Sequence, residues 1–180
     1  LSHAINFVTM PEYDAMLSPA FDAMSASFEG RCACGTVRYR MTSRPMFVHC
    51  CHCRWCQRES GAAFALNALM ESDRVVTLSG SPETVHTPSE SGKGQRIVRC
   101  PQCRVALWSH YGGAGDAIKF VRVGTLEQPD LFPPDVHIFT ASKQPWVVLP
   151  QGTPAVPEYY RSAELWPAES LERRRAVLGP

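Results

Sequence analysis

No apolar run in the chain approaches the ~18–20 residues that a membrane-spanning helix needs, so a helical membrane protein is not expected. Charge of one sign is also lacking. The formal net charge is +1, which removes the electrostatic case for nucleic acid or for an anionic membrane surface. Lysine is scarce: only Lys93, Lys119 and Lys143 stand among the 18 basic residues, and the arginine excess reads as genomic composition. The first 27 residues hold neither Lys nor Arg and no sustained apolar stretch, so a secretory signal is not expected either. No internal repeat or low-complexity segment is present. What remains is ordinary: 180 residues with 44% hydrophobic content, enough for one domain with a real core.

The chain divides into three expected parts. Residues 1–27 read as a leader or extension outside the core, with Met10, Met16 and Met24 as candidate natural starts. Residues 28–150 carry the domain, and residues 151–180 form a tail with a short helix. The only basic run, Arg173-Arg174-Arg175, reads as a solvated face of that helix.

The eight cysteines fall in three tight clusters: Cys32 and Cys34; Cys50, Cys51, Cys53 and Cys56; Cys100 and Cys103. Disulfides fit poorly, because neighbours this close bridge with difficulty and a chain of this size needs no staples. Metal fits better. Zinc takes four ligands in a tetrahedron, and short cysteine spacings let one turn supply two of them. Cys100-Pro101-Gln102-Cys103 is a C-x-x-C knuckle, and Cys32-Ala33-Cys34 is a C-x-C pair followed by Gly35. Together they make one closed site of four thiolates. Iron in a rubredoxin-like arrangement is the alternative occupant.

The central cluster is His49-Cys50-Cys51-His52-Cys53-Arg54-Trp55-Cys56. Cys51, Cys53 and Cys56 are its most regular subset, with Cys53 and Cys56 on the first turn of a helix that runs to Ser60 and ends at Gly61. A helix N-terminus favours thiolates. Three ligands leave a fourth position, which is open in catalytic zinc sites and filled in structural ones. Cys50, His49 or His52 are the residues that could close it. Successive side chains on a strand point to opposite faces, so Cys50 and His52 are expected to turn away, with Cys50 a small buried hydrophobe.

Short strand-like runs with turn signals between them argue a mainly β domain. They are Thr36–Met41, Met46–Cys50, Phe64–Met70, Arg74–Leu78, Thr84–Thr87, Gln95–Arg99, Val105–His110, Ile118–Gly124 and His137–Thr140. The third and fourth read as a hairpin around Glu71-Ser72-Asp73, the sixth and seventh as a zinc hairpin. A second helical signal covers Glu164–Leu178.

The Cys32-Ala33-Cys34-Gly35 start, the Cys51-His52-Cys53-Arg54-Trp55-Cys56 centre and the Cys100-Pro101-Gln102-Cys103 knuckle together resemble the glutathione-dependent formaldehyde-activating enzyme (GFA) family, whose vertebrate relatives include a centromere protein. Gly61 with Phe64, Val123-Gly124-Thr125-Leu126, His137-Ile138-Phe139 and Pro145-Trp146 also match, and the resemblance spans about Phe28 to Pro150. It implies a β-tent fold, a mainly β arrangement of small antiparallel sheets stapled by zinc. It implies two zinc ions per chain: a structural one on Cys32, Cys34, Cys100 and Cys103, and a catalytic one on Cys51, Cys53 and Cys56. Cys50 is a departure from the family pattern.

The implied activity is that of a carbon–sulfur lyase, joining glutathione and formaldehyde as S-hydroxymethylglutathione or reversing that. Zinc deprotonates a coordinated thiol and polarises a carbonyl. Helix N–H groups, Arg54 and Arg58 are candidates to offset the negative charge of the thiolates. His49, His52 and His110 are candidates for acid–base work, Trp55 and Trp108 for pocket walls, and Pro88–Gly94 for a specificity loop. The partner expected is a small thiol or thiol adduct, in the reducing cytoplasm, with no nucleic acid and no membrane. The competing reading is a binding module with two structural zincs.

Overall fold

The computed structural model describes residues 27–179; apart from Ser27, the expected leader lies outside the described residues. Two sheets form. The smaller is antiparallel and consists of β1 (Phe28–Arg31), β2 (Arg38–Met41) and β5 (Val75–Ser79), in the order β1-β2-β5. The larger contains β3 (Phe47–Cys51), β4 (Ala65–Glu71), β6 (Glu83–Thr87), β7 (Gln95–Arg99), β8 (Ala106–Tyr111), β9 (Ile118–Arg122) and β10 (Val136–Ile138). Its order is β10-β3-β4-β9-β8-β7-β6, antiparallel except where β10 joins β3 in parallel. The architecture is mainly β, as the resemblance implies, but its larger sheet is mixed rather than purely antiparallel.

The larger sheet buries both faces. Val48, Ala68, Met70, Val98, Trp108 and Val121 pack with Tyr39, Met41 and Val75 of the smaller sheet. Phe47, Cys51, Ala65, Leu69 and Ile118 face the other way, toward Trp166 and the C-terminal helices. Strict alternation along β3 and β4 produces this division.

That division also explains a correction. The strands on either side of Glu71-Ser72-Asp73 form, but not as a hairpin. β4 pairs with β3 and β9, whereas β5 pairs with β2. β4 is buried on both faces and takes a neighbour on each side; β5 is exposed beyond Val75 and suits an edge. The 3-10 turn Ser72–Arg74 carries the chain between the sheets. Lys119 holds that corner, its Nζ donating to the carbonyls of Ser72 (3.0 Å) and Val75 (2.9 Å).

β1, which sequence patterning does not single out, is brief and contains Gly30. Gly30 lies opposite Tyr39, whose hydroxyl is 2.7 Å from Thr125 Oγ1. A Cβ at Gly30 would stand 2.4 Å from Tyr39 Cζ and 2.8 Å from the Thr125 carbonyl oxygen. Gly30→Ala is therefore expected to cost about 1–3 kcal/mol, read as a lower denaturant midpoint at an unchanged m-value.

Among the described residues three α-helices complete the fold: α1 (Arg54–Ser60), α2 (Ser162–Leu165) and α3 (Ala168–Leu178). The expected helix over Glu164–Leu178 is broken at Trp166, which is extended (φ −79°, ψ 139°), because the residue before a proline is pushed out of the helical region. The arginine run also departs from expectation. Arg173 forks onto buried Glu71, with Nε 2.7 Å from Oε1 and Nη2 2.6 Å from Oε2, and Arg174 lines a cavity. Only Arg175 of the three is exposed.

Candidate active site and metal-ligand clusters

None of the eight cysteines is in a disulfide, and the fold gathers seven of them into the two groups expected from spacing. The first joins two hairpins. Cys32 closes the β1–β2 turn with its N–H on the Val37 carbonyl, and Cys100 closes the β7–β8 turn with its N–H on the Val105 carbonyl, each at 3.0 Å. Cys32, Cys34, Cys100 and Cys103 then converge, with all four Sγ atoms within 4.8 Å of one another. Cys34 Sγ lies 3.4 Å from Cys32 Sγ and 3.7 Å from Cys100 Sγ, near the ~3.8 Å edge of a zinc–thiolate tetrahedron. Hydrogen bonding with the Thr36 side chain and backbone pulls the Cys34 thiol down to about 6. The donor set fits a thiolate-bound metal.

The second group is Cys51, Cys53 and Cys56, also within 4.8 Å of one another. β3 delivers Cys51. Cys53 is the N-cap of α1, its sulfur accepting the Cys56 N–H at 3.4 Å. Gly61 ends the helix at φ 67°, its N–H on the Gln57 carbonyl; this left-handed stop suits glycine. Hydrogen bonds from the Cys51 and Cys56 thiols, with the backbone N–H groups of Cys56 and Trp55, pull Cys53 down to about 3. The same contact with Cys53 drives the Cys51 thiol upward. The group therefore stores its negative charge at the helix N-terminus.

Cys50 and His52 turn to the opposite face, as alternation requires, and meet His137 there. His49 stays on the side of Cys51 and lines the same cavity. Its Nε2 is 2.7 Å from the Tyr160 hydroxyl, which accepts the Trp166 Nε1–H at 2.6 Å. The arrangement that satisfies all three has the phenol donating to Nε2, with the imidazole proton on Nδ1. Burial holds His49 neutral, down to about 3.

The cavity encloses about 740 Å³. Its walls are largely apolar and aromatic, with Trp55, Phe120, Ile138, Phe139, Tyr159 and Trp166, and Arg161 and Arg174 also line it. Ser89, Glu90, Ser91 and Lys93 of the expected specificity loop line it too. Trp108, by contrast, is core, edge-on to Tyr39 at 5.5 Å, and His110 does not reach the cavity lining. Arg54 and Arg58 are exposed, and Arg54 bonds Gln57 Oε1 at 2.7 Å. The cation whose charge acts on Cys56 is instead Arg122, held by Asn67 Oδ1 and by Ser109 Oγ (3.2 Å).

A family model described as glutathione-dependent formaldehyde-activating enzyme matches residues 27–142, more than half of the chain and all eight cysteines. The chain belongs to this family. A protein of Halomonas elongata with the description "Putative glutathione-dependent formaldehyde-activating enzyme" is 26% identical over 157 residues, covering 84% of this chain and 96% of its own. A crystal structure of a Rhodobacter sphaeroides protein is similar over 55% of this chain and 87% of its own, at 17% identity and a TM-score of 0.41.

The GFA match ends before Tyr159, so part of the cavity wall comes from outside the matched range. Tyr159, Tyr160 and Trp166 escape sequence reasoning because aromatic residues in a tail look like packing. Arg122 escapes because a strand arginine normally faces solvent; its register opposite Asn67 is a tertiary fact.

Proposed function

We propose that this GFA-family chain is a zinc-dependent carbon–sulfur lyase that makes or breaks the bond between a small thiol and an aldehyde carbon, with S-hydroxymethylglutathione or a related adduct as substrate. The observation that carries this reading is the placement of Cys51, Cys53 and Cys56 on a cavity of about 740 Å³, within the range of small-molecule sites. Cys32, Cys34, Cys100 and Cys103 hold a second, structural zinc. Cys51, Cys53 and Cys56 would hold the other zinc, which when bound would supply a Lewis acid able to acidify a substrate thiol and polarise a carbonyl.

The chain's own residues do the rest. In adduct formation the sulfur lone pair forms the C–S bond, the carbonyl π pair moves to oxygen, and that oxygen takes up the proton the thiol gave up. Cleavage returns the C–S pair to sulfur and the hydroxyl proton to the released thiol, leaving the carbonyl. His49, oriented by Tyr160 and Trp166, presents its Nδ1 proton as a hydrogen-bond donor to the substrate oxygen. Arg122 and the α1 N–H groups offset the thiolate charge. The aromatic side chains beside the thiols, Trp55, Phe120 and Phe139 among them, give the reacting carbon apolar surroundings. The partner is a small thiol or adduct in a reducing cytoplasm; net charge +1 gives nucleic acid no purchase.

The test is Cys56→Ser, compared with wild type for tightly held zinc, for the spectrum of the Co2+-substituted protein, and for glutathione–formaldehyde adduct turnover by NMR. Expected are one fewer zinc in the variant, a glutathione-dependent Co2+ spectral change in wild type alone, and loss of turnover. A wild-type metal spectrum indifferent to thiols would overturn the lyase and favour a binding module.

A further inference from the structure

We propose that Cys50, His52 and His137 form a third metal site, a Cys-His-His set for a zinc-like divalent cation on the face of the larger sheet opposite the cavity. Sheet register builds it. Cys50 and His52 are two apart on one strand path and share a face, and the His52 N–H continues the pairing onto the Ile138 carbonyl at 3.0 Å. β10 runs parallel to β3 with His137 beside Cys50. Three ligand-bearing side chains thus converge on one spot from two adjacent strands.

The distances match a metal's demands. Cys50 Sγ is 3.6 Å from His52 Nε2, and His52 Nε2 is 3.0 Å from His137 Nδ1. Zinc–sulfur and zinc–nitrogen bonds of about 2.3 and 2.0–2.1 Å, at tetrahedral angles, place sulfur about 3.5 Å from nitrogen and the nitrogens about 3.3 Å apart. All three ligand atoms lie within 4.8 Å of one another. The residues are 2%, 0% and 5% exposed, so the set is built into the fold rather than thrown together on a surface. Both contacts also fall within hydrogen-bonding range, but they converge on the single atom His52 Nε2, so the thiol and the second imidazole point at one spot, as ligands of one ion do. One thiolate with two imidazoles is a borderline donor set that suits zinc.

The site is weaker than the thiolate clusters. Binding through Nε2 of His52 and Nδ1 of His137 puts the ring protons on His52 Nδ1 and His137 Nε2, which have no protein acceptor, and metal-bound imidazoles normally donate that proton. Lys143 adds a repulsive charge at His52. This cation is therefore the first one surrendered to a chelator.

The experiment is equilibrium dialysis of the full chain, carrying its tightly held metal, against buffered free Zn2+, with elemental analysis of wild type, Cys50→Ala and His137→Gln. Wild type is expected to take up one further equivalent that each variant lacks. Co2+ in place of Zn2+ should give wild type a thiolate charge-transfer band for that equivalent, absent from Cys50→Ala. Near-UV circular dichroism reports whether each variant folds. Should Cys50→Ala misfold, His137→Gln, which keeps a polar side chain, decides by itself. No further equivalent in wild type, or an undiminished one in a folded variant, overturns the site.

Discussion

Cys100→Ala is expected to abolish the cooperative fold, whereas Cys53→Ala is expected to leave a folded chain without activity. The contrast follows from what each cluster ties together. Cys100 is fully buried in the core between the two sheets, and its sulfur meets that of Cys34, 66 residues away in sequence. Metal there would clamp a hairpin of the smaller sheet to a hairpin of the larger. Structural zinc contributes on the order of 10–16 kcal/mol in small peptides, comparable to the whole stability of a domain, about 5–15 kcal/mol. Cys51, Cys53 and Cys56 instead span six consecutive positions, already organised by β3 and the first turn of α1. Metal on them would close only a loop that local structure has already closed. Thermal melts by circular dichroism, paired with adduct turnover, separate the two outcomes. A Cys100→Ala chain as stable as wild type would contradict the structural assignment.

Arg173→Met should cost about 3–5 kcal/mol at neutral pH, because it strands a buried carboxylate. Glu71 has a side chain 4% exposed, and Arg173 is its forked partner at 2.6 Å. Arg74 Nε lies 3.5 Å from the same group but is itself 44% exposed and screened. Burial pushes the Glu71 carboxyl upward, yet the bond from Arg173, its own backbone N–H and the two guanidinium charges outweigh that and leave it below its ordinary value of 4.5. A depressed acid contributes stability that is present above the unfolded value and is lost as pH falls through the folded one. Without Arg173 the desolvation is opposed only by the backbone N–H and the screened charge of Arg74, and the carboxyl shifts upward. The variant's deficit is thus largest at neutral pH and shrinks as Glu71 takes up its proton. Denaturation of both chains at pH 7 and pH 5 reads this out; a deficit independent of pH would point to lost packing of the arginine stem.

These two sites also mark what the sequence could reveal. The thiol clusters were legible because ligand spacing is a local property: a C-x-x-C turn presents two sulfurs wherever the chain places it. Helix α1 was legible to its last residue, since Cys53 and Gly61 are local caps. Pairing between distant strands was not. The turn at Glu71-Ser72-Asp73 has hairpin chemistry, but the demand of β4 for two neighbours overrode it. Arg173 looked solvated because a run of three arginines carries no sign of the buried acid awaiting one of them. His49 and Tyr160 stand 111 residues apart, and their 2.7 Å contact depends on how α2 and α3 lie across the sheet. His137 fell within an expected strand, but its alignment with Cys50 requires a parallel neighbour, which short connections do not suggest.

The stretch from His49 to Cys53 behaves as a reading frame. Its odd-numbered members serve the cavity and its even-numbered members serve the far side of the sheet. Substituting any one of them removes a single donor. Deleting or inserting one residue upstream within β3 would invert the assignment, sending the thiol of Cys50 and the imidazole of His52 toward the cavity while Cys51 and His49 swing behind it. Evolution can therefore edit the letters here with graded consequences, but it cannot change the word length without exchanging the chemistry of the two faces at once.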